Sequence, residues 1–554
     1  MQQPTVPRDS SCLQHLPVEL QIAILSHLTS PSDQPTLQAV LLTCKSLNRA
    51  ALPLSVRSFR NTDHRHGGGF CSERRNAQFL RYILSRRPEL AIYVESLIFG
   101  QFSRDPNVGY DTEAVDEDEE LEDDRRFDEY KPEELAIYRK HITDALGPNS
   151  MPNIAQGWIK DLEIGCSDAQ VALILISCPN LRSLYFETPY WHRHFFQALE
   201  LLNRANPLIS NGLKPPLSRL RHVYCETQTC ENHGGHPDDR NPGPFFQLDT
   251  LRSFEGFNVS TGNAAERYFG QLPARSSNVE EITLRGSYLS PQVLHSMLRV
   301  CKAVKSLEIT RGFYHVPAEE LLPRHVLASI LPHADSLEYL HLNVAEEFQL
   351  DVPTQGEHLC LGLELRNMTR LKSLVTGMRS LTGFFNGYTV IGDTNTPARI
   401  PRVRGAPDLA DCLPDDLESL EIHRCGEDIL DQVQTLIVKV QEGRSFRRLK
   451  RLRLLFDRED VNPDKVRLNF DPAVIHIDIV FQSLQNRLFD IIPRYRKGGR
   501  RADAISSPMY ADDFRKQWLA MRGQDIGKHK NHLARKLGPA EMNEAFPHSL
   551  HQFL

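Results

Sequence analysis

Apolar residues at the start of this chain recur with the helical period. Leu20, Ile24 and Leu28 stand at i, i+4 and i+8. Val18, Ile22 and Leu25 stand at i, i+4 and i+7, so a helix beginning near Val18 carries two adjacent apolar stripes. Pro17 suits its first turn, where a missing N–H leaves no bond unmade. The polar stretch 30–35, with two prolines, closes this helix and opens a second one, in which Leu37, Val40, Leu41, Cys44 and Leu47 share a face. A helical unit of fewer than about 40 residues rarely closes a core of its own. One stripe is therefore expected to serve the contact between helices and the other to meet a neighbour. Docking of the pair on later parts of the same chain would satisfy the same pattern.

Further along the pattern becomes apolar, two variable positions, apolar, one variable, apolar. Full copies span 159–164, 181–186, 279–284, 304–309, 337–342, 417–422 and 449–454, and weaker copies begin at Val94, Leu220, Leu251 and Leu371. The alternation at the end of each copy predicts a short, half-buried strand. Helical spacing over 168–176, 290–298 and 326–331 leads into the next copy. This predicts an α/β fold in which strands and helices alternate. The outward positions would be Glu163, Tyr185, Thr283, Glu308, His341, Glu421 and Arg453. A non-repeating α/β domain with the same short pattern by chance is the competing reading.

Leu16-Pro17-x-Glu19-Leu20, Ile24-Leu25-x-x-Leu28 and Leu41-x-x-Cys44-Lys45-x-Leu47-x-x-Ala50 together resemble the F-box motif. Members of that family are substrate receptors of Skp–cullin–F-box ubiquitin ligases. The resemblance implies a three-helix unit that docks on a Skp-type adaptor, and through it a cullin, by way of Leu16, Pro17, Leu20, Ile24, Leu25 and Leu28, with Leu41, Cys44 and Leu47 assisting. The chain departs from the motif in having no Trp near Leu47 and a longer connection from Leu28 to Leu37. The later copies, with helices between them, resemble leucine-rich repeats, which recur every ~20–29 residues; here the spacing is irregular and mostly longer. The organisation this implies is an F-box over 10–60, an irregular leucine-rich-repeat-like solenoid with long loop insertions over 75–485 that binds a target protein, and a basic helical cap or tail over 486–554. A leucine-rich scaffold unconnected to ubiquitin transfer is the alternative.

Charge refines the outline. Residues 113–124 are almost all Asp or Glu, and such like charges repel and resist packing, so 103–131 is expected to be a disordered acidic insertion. The chain has 554 residues, 40% of them hydrophobic and 25% charged, with net charge −6, as in ordinary globular proteins. That balance does not point to nucleic acid as a partner. No run of about 18 apolar residues offers a membrane span. The first residues lack the apolar core of a secretory signal, so a cytoplasmic or nuclear location is expected. The 11 cysteines are scattered and are expected to be reduced. Cys225, Cys230, His233 and His236 are all of ligand type, but their spacing matches no common zinc template and the intervening glycines read as loop; no metal or other cofactor is expected. No phosphate-binding loop, nucleophile elbow or His-Glu-x-x-His motif is present, so no catalytic residues are assigned and the chain is expected not to be an enzyme.

Overall fold

The computed structural model describes residues 13–28, 33–62, 71–102, 129–146, 152–187, 193–204, 216–226, 242–257, 259, 263–287, 289–311, 321–344, 359–384, 389–390, 397–398, 402, 405–443, 445–457 and 461–482. They gather into two units. The first runs to Tyr224 and takes in Leu248–Leu251; the second holds the remaining residues from Cys225 onward. Cys230, His233 and His236, most of 103–131 and all of 486–554 lie outside the described residues.

The first unit opens with three helices, α1 (Val18–Leu25), α2 (Gln34–Leu41) and α3 (Lys45–Ser55). Strand β1 (Ser58–Asn61), helix α4 (Glu73–Leu80), strand β2 (Ser96–Phe99), helices α5 (Pro132–Leu146), α6 (Pro152–Glu163) and α7 (Ser167–Ser177), strand β3 (Ser183–Glu187), helix α8 (His194–Arg204) and strand β4 (His222–Glu226) follow. The strands lie in chain order, with β1 parallel to β2 and β2 parallel to β3. In the second unit β5 (Ser253–Phe257), β6 (Glu281–Ser287), β7 (Ser306–Arg311), β8 (Tyr339–Asn343), β9 (Ser373–Gly377), β10 (Ser419–Cys425), β11 (Arg451–Asp457) and β12 (His476–Gln482) are also adjacent in chain order and parallel throughout. Helices α9 (Asn263–Gln271), α10 (Pro291–Val300), α11 (Pro323–Ile330) and α12 (Leu430–Gln441) fall between strands. The α/β class expected from the alternating pattern is therefore present.

Register explains the core. Phe254, Ile282, Leu307, Leu340, Leu374, Leu420 and Leu452 stand opposite one another across successive strands, and all are buried. Fully burying one such side chain contributes about 1.5–3 kcal/mol. One carbonyl before each strand accepts two successive N–H groups from the next: Lys305 O accepts from Glu338 and Tyr339, and Glu338 O from Lys372 and Ser373. Gly286 has φ +59° where the β6 register shifts, a conformation open to glycine without a Cβ clash. Ser290 caps α10 by accepting from Val293 N–H, with Pro291 at the first helical position, as the Ser-Pro pair leads one to expect.

Three details correct the sequence reading. The copy at 159–164 is no strand: Ile159 and Leu162 are buried on α6 beside Trp158, and the i, i+4 spacing of Trp158 and Leu162 is helical. Glu163 is accordingly the last residue of a helix rather than an outward strand position. Tyr130, counted within the acidic insertion, is buried, with its ring under Arg81 at 5.3 Å and edge-on to Tyr138 at 5.0 Å.

Helix α7 is buried along its whole length, and α4, α5, α6 and α8 pack around it. Its one acid, Asp168, accepts backbone N–H groups of Arg193 (2.8 Å), His194 (2.6 Å) and Phe195 (3.1 Å). A buried carboxylate is thus satisfied by the amino end of α8, where the helix dipole favours negative charge. His194 meets Asp161 at 2.7 Å and stacks on Trp158. Burial lowers the His194 pKa, against the pull of Asp161, so the imidazole is held neutral. Replacing Asp168 with Ala leaves three donors, two of them buried, without their acceptor; a loss of about 2–3 kcal/mol is expected, read as a lower urea midpoint by circular dichroism.

Candidate functional site

Helices α1–α3 enclose a small core of Leu25, Leu37, Ala50 and Ala51, with Leu13, Leu28, Val40, Leu41 and Leu54 packed against it. Asn48 Nδ2 donates to Leu41 O at 2.8 Å and ties the end of α2 to α3. Helix α1 touches this core along one narrow strip. Gln21 and Leu25 are buried there, and Leu28 is half-buried just beyond. At about 100° per residue, Leu20 and Ile24 lie on one flank of the strip, and Val18 and Ile22 on the other. Both flanks are exposed, Leu20 at 51% and Ile24 at 46%.

This differs from the expected division of labour. Neither apolar stripe serves wholly as the internal contact. The strip between them does, with the polar Gln21 in its middle, and both stripes are left substantially open. Among the candidate docking residues, Pro17, Leu20 and Ile24 are exposed, and Leu16, Leu28, Leu41 and Cys44 are half-buried. Leu25 is buried in the core between the helices and Leu47 is buried on α3, so neither belongs to an outward face. Leu42, at the end of α2, is 88% exposed. Leu42 belongs to the same apolar stretch but lies off the face shared by Leu37, Val40, Leu41, Cys44 and Leu47, which is the signal for its exposure. Gln21 was passed over because a polar residue breaks the apolar count. An open groove of about 720 Å³ adjoins Leu42 and is lined also by Leu41, Lys45, Arg49, Leu90 and Tyr93.

The second surface is the outward row of the second unit's strands. Glu255, Thr283, Glu308, His341, Val375, Glu421, Arg453 and Asp478 stand side by side in register. Thr283, Glu308, His341, Glu421 and Arg453 are thus brought together as predicted; Tyr185 is in the first unit, stacked on Tyr224 at 4.4 Å. Most of the charges along the row are paired. Arg285 forms a two-pronged contact with Glu308 at 2.8 and 3.1 Å, and His341 lies 3.3 Å from the same carboxylate. Glu421 meets His423 at 2.7 Å and Arg453 at 3.5 Å, and Arg453 reaches Asp478 at 3.2 Å. Burial raises the Glu308 pKa, but the bonds from His341 and Arg285 outweigh it and hold the carboxyl well below its ordinary range. Glu421 is lowered in the same manner, its burial outweighed by His423 and Arg453.

Among the described residues no group of three or more His, Cys, Asp or Glu is arranged to hold a metal ion. Cys225 is buried in β4. Burial pushes the thiols of Cys166, Cys301 and Cys412 up to about 12, so they stay protonated at neutral pH and are poor nucleophiles. No described helix is long and apolar enough to cross a membrane. No protein-family model matches the chain. No curated protein matches it either.

A carboxyl whose pKa is depressed in the folded state gives stability that is present above its ordinary value of 4.5 and is lost as pH falls toward the folded value. The urea midpoint is therefore expected to drop on acidification below that point. Glu308→Gln should lower the midpoint at pH 7 and flatten its dependence on pH in the acid range.

Proposed function

We propose that this chain is a non-catalytic substrate receptor of a Skp–cullin–F-box ubiquitin ligase, cytoplasmic or nuclear in location. In this reading α1–α3 are an F-box that docks on a Skp-type adaptor, and through it on a cullin. The strand and helix repeats are leucine-rich repeats of irregular length that hold a target protein. The observation carrying the proposal is the pair of open apolar flanks on α1. A two-turn helix that exposes Val18, Leu20, Ile22 and Ile24 holds about one third of the large apolar side chains exposed among the described residues. Apolar exposure concentrated in this way on one short helix supports a protein contact. The Leu-Pro start and the spacing of Leu16, Leu20, Ile24 and Leu28 support an F-box over other helical docking units.

Mechanism in such a receptor is proximity. Tethering the target beside the ubiquitin-transfer machinery replaces a bimolecular encounter with an effectively intramolecular one. The acid–base and nucleophilic steps belong to other subunits, and the receptor supplies two surfaces and the span between them. The paired ladder of Glu308, His341, Glu421 and Arg453 supports a role for that row in target contact, because it offers polar groups in fixed register.

Purified full-length chain should bind a purified Skp-type adaptor. Leu20→Asp and Ile24→Asp, both on exposed positions, should each weaken that binding by about tenfold or more and leave the thermal midpoint unchanged. Leu25→Asp should instead unfold the helical unit, since it buries a charge in its core. Wild-type chain that captures no adaptor, with the helical unit folded, would reject the ligase reading in favour of an interaction scaffold.

A further inference from the structure

Gln21 is 1% exposed at the centre of the strip by which α1 is held. A leucine there would extend the apolar contact already made by Leu25 and Leu28, so the polar side chain calls for a reason. Its bonds supply one. Nε2 donates to Leu16 O at 2.8 Å and approaches Gln14 O at 3.2 Å. The same amide group pairs with the Ser46 hydroxyl on the first turn of α3, with Nε2 to Oγ at 3.1 Å and Oγ to Oε1 at 3.1 Å. One side chain thus joins the segment preceding α1 to the start of α3.

Leu16 N–H donates to Leu13 O, and Pro17 O accepts from Leu20 and Gln21 N–H, which leaves the Leu16 carbonyl to be fixed. Proline has no N–H with which to fix the chain, and it restricts the preceding residue to extended backbone. The Leu16 carbonyl is the remaining polar handle on the Leu16–Pro17 peptide. Gripping it sets the direction of the Leu16 side chain and the Pro17 ring relative to α3, on which α1 rests. An ordered segment binds more tightly than one that must be ordered on contact.

We infer that Gln21 and Ser46 are a positioning pair that presents Leu16, Pro17 and the flanks of α1 to the docking partner. Neither residue need touch that partner. The inference rests on the docking reading above and adds to it the residues that set the geometry of the surface.

The test uses the full-length chain and a purified Skp-type adaptor, with affinity measured by calorimetry and amide hydrogen exchange measured over residues 14–28. Gln21→Leu fills the same space without the donors. It is expected to keep or raise the thermal midpoint, speed exchange at Leu16 and in the first turn of α1, and weaken adaptor binding by about tenfold. Gln21→Glu sets a carboxylate against two carbonyls and should weaken binding further. Ser46→Ala should weaken binding by a smaller factor and add little on top of Gln21→Leu, because the two act through one set of bonds. A Gln21→Leu variant with wild-type affinity, in a protein whose binding is lost by Leu20→Asp, would overturn the pair and leave the docking reading standing. Wild-type protein that does not bind the adaptor would overturn both.

Discussion

In a parallel ladder every strand must present its apolar pair at the height of its neighbour's, because a slip of one residue turns each side chain to the opposite face. The carbonyls of Arg57, Glu95 and Arg182 in the first unit, and of Arg252, Glu280, Lys305, Glu338, Lys372 and Glu418 in the second, meet that requirement. Each accepts two consecutive N–H groups as the following strand begins. Register is therefore fixed at the strand's first residue. The inward row of Leu307, Leu340, Leu374 and Leu420 and the outward row of Glu308, His341, Val375 and Glu421 are two results of the same alignment. Loops of very different length are tolerated between strands because this pairing does not depend on them.

The helical unit obeys a different rule. Its helices have no ladder to align them and rely on a core of few residues, helped by single polar ties such as Asn48 to Leu41 O. A small core leaves much apolar surface outside. In α1 that surface lies on either side of a buried strip, so a partner that covered both flanks would grip the helix from two sides. This is where the fold's need for burial and the proposed role as a docking unit coincide.

Much of this was legible in the chain. The spacing of leucines located the strands β2 to β11, and the helical spacing over 290–298 located α10. The copy at 159–164 misled because its apolar positions fit a helical face as well as a strand, and Trp158 one residue earlier decides for the helix. Strand β1 lacks the leucine pattern, and β12 is half-exposed, so neither stood out. In the helical unit the apolar positions were readable, but their division into inner and outer was not. That division depends on Gln21, whose burial is decided by bonds to Leu16, Gln14 and Ser46 that are remote from any periodic count. The charged ladder was readable one residue at a time; the pairing of Arg285 with Glu308 arises only once β6 and β7 are side by side.

That ladder has a consequence for any visiting chain. Glu308, Glu421, Arg453 and Asp478 already have resident counterparts, so a newcomer's ammonium or carboxylate gains a foothold on them only by displacing one. Recognition there would be an exchange of partners within a fixed grid. Discrimination would then lie in whether the incoming groups fall on the spacing of the strands.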